Sequence, residues 1–97
     1  MSCMFFKTEF NGDISRWDVS NVTNMSEMFG ESKFNKNISE WDVSNVTDME
    51  YMFSDSKFNK NISNWKINPN CETTDMFSNC PIKEIYKPLN MQNDLRK

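Results

Sequence analysis

The chain has no histidine, no alanine, two glycines, three prolines and three cysteines in 97 residues. Without histidine it lacks both the usual general base and the commonest metal ligand. Two glycines exclude a glycine-rich phosphate loop and the glycine-rich nonapeptide of a calcium-binding β-roll. There is no GxSxG elbow and no cysteine paired with a base, so acyl- and phosphoryl-transfer constellations are missing. Neither enzymatic activity nor a cofactor is expected. The odd cysteine count and the lack of CxxC indicate neither a disulfide framework nor a zinc site. Reduced thiols are expected, with a Cys71 to Cys80 bridge left open. Neither sign of charge dominates: 11 basic and 14 acidic residues are interspersed for a net −3, and no basic run offers a nucleic-acid footprint. No apolar stretch approaches the roughly 20 residues of a membrane span. The opening MSCMFFKTEF has no basic n-region and no apolar h-region. The chain is therefore expected in the cytoplasm or in an intracellularly assembled particle, unless it is a fragment of a longer exported protein.

What is present is a repeat. Phe10 to Lys33 and Phe34 to Lys57 are identical at 16 of 24 positions. A fixed period in this range is the signature of stacked repeat architectures. Phe10, Phe34 and Phe58; Ile14, Ile38 and Ile62; Trp17, Trp41 and Trp65; Val19, Val43 and Ile67; Met28, Met52 and Met76; and Phe29, Phe53 and Phe77 share one phase, so these rows are expected to form the core. Met1 to Phe10 aligns with Met25 to Phe34, half of a unit. At the other end Ile82, Tyr86, Leu89 and Met91 fall 24 residues after Phe58, Ile62, Trp65 and Ile67. The organisation expected is one repeat domain over 1–91, with a partial coil at 1–9, coils at 10–33, 34–57 and 58–81, a degenerate coil at 82–91, and a polar tail at 92–97. At 37% hydrophobic, the chain has room for one small core.

Within a unit, Asn37 to Trp41 alternates apolar with polar residues and reads as a short strand, as do Asp13 to Trp17 and Asn61 to Trp65. Thr47-Asp48-Met49-Glu50 has capping-box spacing and predicts one helical turn through Met49, Met52 and Phe53, with an equivalent at Thr23 to Phe29. A parallel strand plus a helical turn every 24 residues is an α/β repeat, a leucine-rich-repeat-like solenoid of about four short coils.

The unit FNKNISEWDVSNVTDMEYMF resembles the repeat of the BspA-like leucine-rich-repeat surface proteins, in the variant first catalogued as a mycoplasma domain of unknown function. The likeness is close over Phe10 to Phe58 and looser over most of the chain. It implies a right-handed solenoid with a protein-interaction or adhesion role, found in bacterial lipoproteins and in AT-rich large DNA viruses, and no catalytic residues. The 14 asparagines and the absence of alanine are also typical of AT-rich coding sequence.

Two surfaces are candidates for a protein partner. Outward positions that vary between units over a constant core, Arg16, Asp18, Glu40, Asp42, Asn64 and Lys66, suit a recognition face. The half-unit at the start, through Met4, Phe5 and Phe6, suits an edge that docks on another chain, by end-to-end self-association or by incorporation in a larger assembly. A tryptophan row could stack sugars, but its phase with the core places it inside. Asp18 and Asp42 stack as like charges and suggest a cation or turn hydrogen bonds, with too few convergent oxygens for calcium. Arg16 and Glu40 are expected to attract each other. Asn11, Asn35 and Asn59, and Asn21 and Asn45, are expected to bond turn backbone between coils. Five N-x-[ST] sequons, at Asn21, Asn24, Asn37, Asn45 and Asn61, follow from the repeat.

Overall fold

The computed structural model describes residues 1–91. Regular secondary structure is sparse. Among the described residues it consists of two short 3-10 turns, Glu84–Tyr86 and Leu89–Met91, and isolated parallel bridges joining Asn24 to Asp48 and Asp48 to Glu72. The strands expected at 13–17, 37–41 and 61–65 do not form, and neither do the helical turns at 25–29 and 49–53. The polar tail expected at 92–97 lies outside the described residues. The radius of gyration, 12.3 Å, is that of a compact chain, for which about 13 Å is usual at this length.

Turns take the place of both elements. In the arc 25–32 the amides of Met28, Gly30 and Ser32 donate to the carbonyls of Met25, Glu27 and Phe29, making three overlapping four-residue turns. Arcs 1–8, 49–56 and 73–80 repeat this pattern. Two residues of every arc sit in the left-handed region: Cys3 and Lys7, Glu27 and Glu31, Tyr51 and Asp55, Asp75 and Asn79, with φ between 52 and 59°. Each is the third residue of its turn, where a type II turn needs positive φ. The capping box fails because its parts bond elsewhere. The Thr47 hydroxyl donates to the carbonyl of Thr23, and the Glu50 amide donates to the carboxylate of Asp48.

The other half of each unit is also built from turns. Trp17, Trp41 and Trp65 donate their amides to Ile14, Ile38 and Ile62, and Val22 and Val46 to Val19 and Val43. In the third unit the second turn slips by one residue, with Cys71 donating to Asn68. Pro69 stands second in that turn, the place its locked φ favours.

Side chains from successive units meet in a large buried aromatic cluster. Phe5, Phe29, Phe53 and Phe77 stack with centroids 5.5 to 5.6 Å apart, and Phe34 stands 4.4 Å from Phe29 as Phe58 stands 4.3 Å from Phe53. Offset aromatic pairs add about 0.5–1.5 kcal/mol each beyond area burial. The Trp41 and Trp65 indoles stack at 6.5 Å and donate to the carbonyls of Ile14 and Ile38 at 3.0 Å, which satisfies their buried N–H groups. Trp17 and Phe10 depart from the expected core: they are 38% and 37% exposed, because no unit packs on their outer side, and Ile67 and Phe77 of the third unit are partly buried. The asparagine ladder forms as expected except at Asn21, which makes no such bond among the described residues. Asn11, Asn35 and Asn59 accept from the amides of Asn35, Asn59 and Lys83 at 2.7 to 2.9 Å, and Asn45 donates to the Ser20 carbonyl.

Truncating Phe53, buried and ringed by Phe29, Phe58, Trp65 and Phe77, should cost about 3–5 kcal/mol in a urea titration of Phe53→Ala. The left-handed backbone has its own test at exposed Glu31. Glu31→Gly should stay within about 1 kcal/mol of the parent, relief of strain offsetting lost chain stiffness, whereas Glu31→Val should lose more than that. Equal losses for glycine and valine would show that the arc does not hold this conformation in solution.

Candidate interaction surfaces

Arg16, Glu40 and Asn64 hold the third place of the turns 14–17, 38–41 and 62–65. In the second and third of these turns the first and fourth places, Ile and Trp, are buried, so the third projects outward. Asp18, Asp42 and Lys66 follow the tryptophans, and all six residues are exposed. A groove of about 280 Å³ between the second and third units is lined by Glu40, Asp42, Asn64 and Lys66, with Trp41 and Trp65 behind them. Four of the six candidates are thus brought together. Arg16 and Asp18 belong to the preceding unit and do not line this groove. The attraction expected between Arg16 and Glu40 does not become an ion pair; Lys87 and Glu84 make one at 3.2 Å in the last unit.

The aspartates of this face are held by their own turns. Ser20 donates its hydroxyl and amide to Asp18 at 2.6 and 3.0 Å, and Ser44 does the same for Asp42 at 2.7 and 3.1 Å. These bonds hold both carboxyls below their ordinary value, while the negative charge of Asp18 pushes Asp42 slightly the other way. Turn hydrogen bonding therefore accounts for the pair. Among the described residues no three His, Cys, Asp or Glu side chains are placed to hold a metal ion.

The three edge candidates differ from one another. Met4 is 50% exposed. Phe5 is half-buried and already stacked between Phe10 at 4.7 Å and Phe29 at 5.6 Å. Phe6 is half-buried beside Gly30, where an added Cβ would meet its ring at 3.0 Å. Exposed Phe10, Trp17, Ile85 and Leu89 join Met4 at the two ends, and Phe10, Trp17 and Leu89 hold positions in the repeating rows. The signal that finds them is their place in a terminal unit, where a row has a neighbour on one side alone.

All three cysteines are free thiols, and no Cys71 to Cys80 bridge forms. Burial pushes Cys71 up to about 11 and raises Cys80, whose thiol also lies 3.2 Å from the Phe58 carbonyl. Cys3 is exposed.

A family model described as "Mycoplasma protein of unknown function, DUF285" matches residues 1–90. No curated protein and no solved structure matches the chain. Among the described residues no helix is long and apolar enough to cross a membrane.

Two measurements check this chemistry. A thiol reagent at mildly alkaline pH should label Cys3 first, with Cys71 and Cys80 slower because burial disfavours their thiolates; faster labelling of Cys71 would mean that its surroundings open. In an NMR titration Asp42 should release its proton below the ordinary carboxyl range, and Ser44→Ala should move it back up. The sign follows from linkage. A carboxyl depressed by folding contributes stability that is present above its unfolded value and is lost as pH falls through the folded one.

Proposed function

The chain belongs to the DUF285 family, and we propose that it is a non-enzymatic protein-interaction module, a right-handed solenoid of the BspA-like leucine-rich-repeat kind with about four short coils. Its partner is a protein, bound through the outward turn face of Arg16, Asp18, Glu40, Asp42, Asn64 and Lys66. One observation carries this reading. At equivalent outward positions the charge changes from unit to unit, Arg16 to Glu40 to Asn64 and Asp18 to Asp42 to Lys66, over an interior of isoleucine and tryptophan that does not change. Repeat proteins recognise partners in this way, by varied exposed residues on a constant core. The groove beside Glu40, Asp42, Asn64 and Lys66 supplies a concave place on that face.

The solenoid reading is supported by the 24-residue offset of the asparagine ladder and the ring stacks, and by the recurrence of the same backbone bonds every 24 residues. A second reading, a structural subunit of a particle or surface array that docks by its end, is favoured by the apolar side chains exposed at the two ends.

The face reading is tested by the double variant Glu40→Lys with Asp42→Lys. Proteins retained by the immobilised parent chain should fall about tenfold or more with the variant, one decade corresponding to about 1.4 kcal/mol, while its unfolding midpoint stays with the parent. Undiminished retention would remove these residues from any interface.

A further inference from the structure

The backbone bonds that leave an arc from its own amides all run toward the next unit; those running back, among them Lys33 to Thr8, Lys57 to Ser32, Thr47 to Thr23 and Glu72 to Thr47, start from amides outside the arcs. The amides of Cys3, Phe5 and Lys7 donate to the carbonyls of Ser26, Met28 and Gly30; those of Glu27, Phe29 and Glu31 donate to Glu50, Met52 and Ser54; and those of Tyr51, Phe53 and Asp55 donate to Thr74, Met76 and Ser78, at 2.8 to 3.0 Å. The last arc therefore ends in donors. Among the described residues the amides of Asp75, Phe77 and Asn79 have no acceptor, and at the first arc the carbonyls of Ser2, Met4 and Phe6 accept from no donor. One end is a row of N–H groups, the other a row of C=O groups, at the same two-residue spacing.

We propose that copies of this chain stack head to tail, the arc 1–8 of one copy seating on the arc 73–80 of the next. The inference rests on the second reading above and is independent of the turn face. In the register that joins every other pair of arcs, the amides of Asp75, Phe77 and Asn79 meet the second copy's carbonyls of Ser2, Met4 and Phe6. The second copy's Phe5 then extends the ring column beyond Phe77.

The exposed apolar residues point to the same occupant. Met4, Phe10 and Trp17 lie at one end and Ile85 and Leu89 at the other, with Tyr51 the one large exposed hydrophobic residue elsewhere among those described. Leu89 is 72% exposed and holds the repeat position of Trp17 and Trp65, so the same register lays the second copy's Trp17 against it. An ordinary strand edge presents donors and acceptors alternately and would leave half of its groups unmatched on a row of donors alone. A second copy presents acceptors alone at the three arc positions that face those donors. The Lys87 ammonium, 5.4 Å from the centroid of the Phe77 ring and paired with Glu84, swings aside on docking. The two surfaces differ, so the contact is heterologous and yields an open series of oligomers.

Sedimentation velocity of the full chain over a wide concentration range should show mass rising past the dimer. Met4→Glu blocks one end and Leu89→Glu the other, both at exposed side chains, so each variant alone should stay monomeric with self-association weakened about tenfold or more. Their equimolar mixture should form a dimer and stop there, because each supplies the end that the other lacks. Hydrogen exchange gives an independent readout: the amides of Asp75, Phe77 and Asn79 should gain protection as the concentration of the parent rises. A parent chain that is monomeric throughout overturns the proposal. So does a dimer that persists in either single variant, or a mixture that gives no dimer. Glu40→Lys with Asp42→Lys should leave self-association unchanged, which separates failure of the turn face from failure of the ends.

Discussion

The structure depends on how the arcs divide their backbone hydrogen bonds. Even-numbered amides donate within the arc, closing turns with odd-numbered carbonyls, and odd-numbered amides donate to the next arc, where even-numbered carbonyls receive them. A buried backbone group without a partner costs about as much as a lost hydrogen bond, and this division satisfies both sets without a strand or a helix. Its cost is a left-handed residue at every fourth position of the arc, borne by Cys, Lys, Glu, Tyr, Asp and Asn in place of glycine. At about 1–2 kcal/mol per residue this is a substantial strain. In the first three arcs it persists because each strained residue also sends its amide to the next arc.

The side-chain rows follow from the same constraint. Once the arcs are locked at a 24-residue offset, equivalent residues must lie above one another, so flat groups that tolerate stacking are suited to the interior. Phenylalanine and tryptophan meet that demand with ring planes within 8° of parallel along the main column and between the two indoles. Stacked equivalents are harder to tolerate where they carry charge. Asp18 and Asp42 repel, and the chain handles this by keeping them solvated and giving each carboxylate two donors from its own turn.

The period of the repeat identified most of the interior correctly: Ile14, Ile38, Ile62, Trp41, Trp65, Met28, Met52, Phe29 and Phe53 are all buried. It could not reveal the local conformation. Alternation over Asn37 to Trp41 is compatible with a strand, but here it is produced by a turn whose ends face inward and whose middle faces out. The left-handed positions were invisible because the usual marker, glycine, is absent from all eight. For the candidate face, exposure of the six residues was legible as the complement of the core rows. That Glu40, Asp42, Asn64 and Lys66 share a groove while Arg16 and Asp18 stand outside it was not, since it depends on how far neighbouring turns part.

A stack whose arcs send their own amides one way has direction, and direction separates its surfaces by role. The lateral turns make no rung of the backbone pattern at their outward positions, so their side chains can change from unit to unit without disturbing the fold. The ends are different. Whatever sequence fills the first and last arcs, the backbone presents acceptors at one and donors at the other, because the pattern continues from the interior. On the proposed reading, specificity for a foreign partner would be written in side chains on the side of the stack, and affinity for another copy in the backbone at its ends. Trp17 and Leu89 sit at opposite ends in the same row. Each lacks the neighbour that covers Trp41 and Trp65, and the other is the shape that the row would put there.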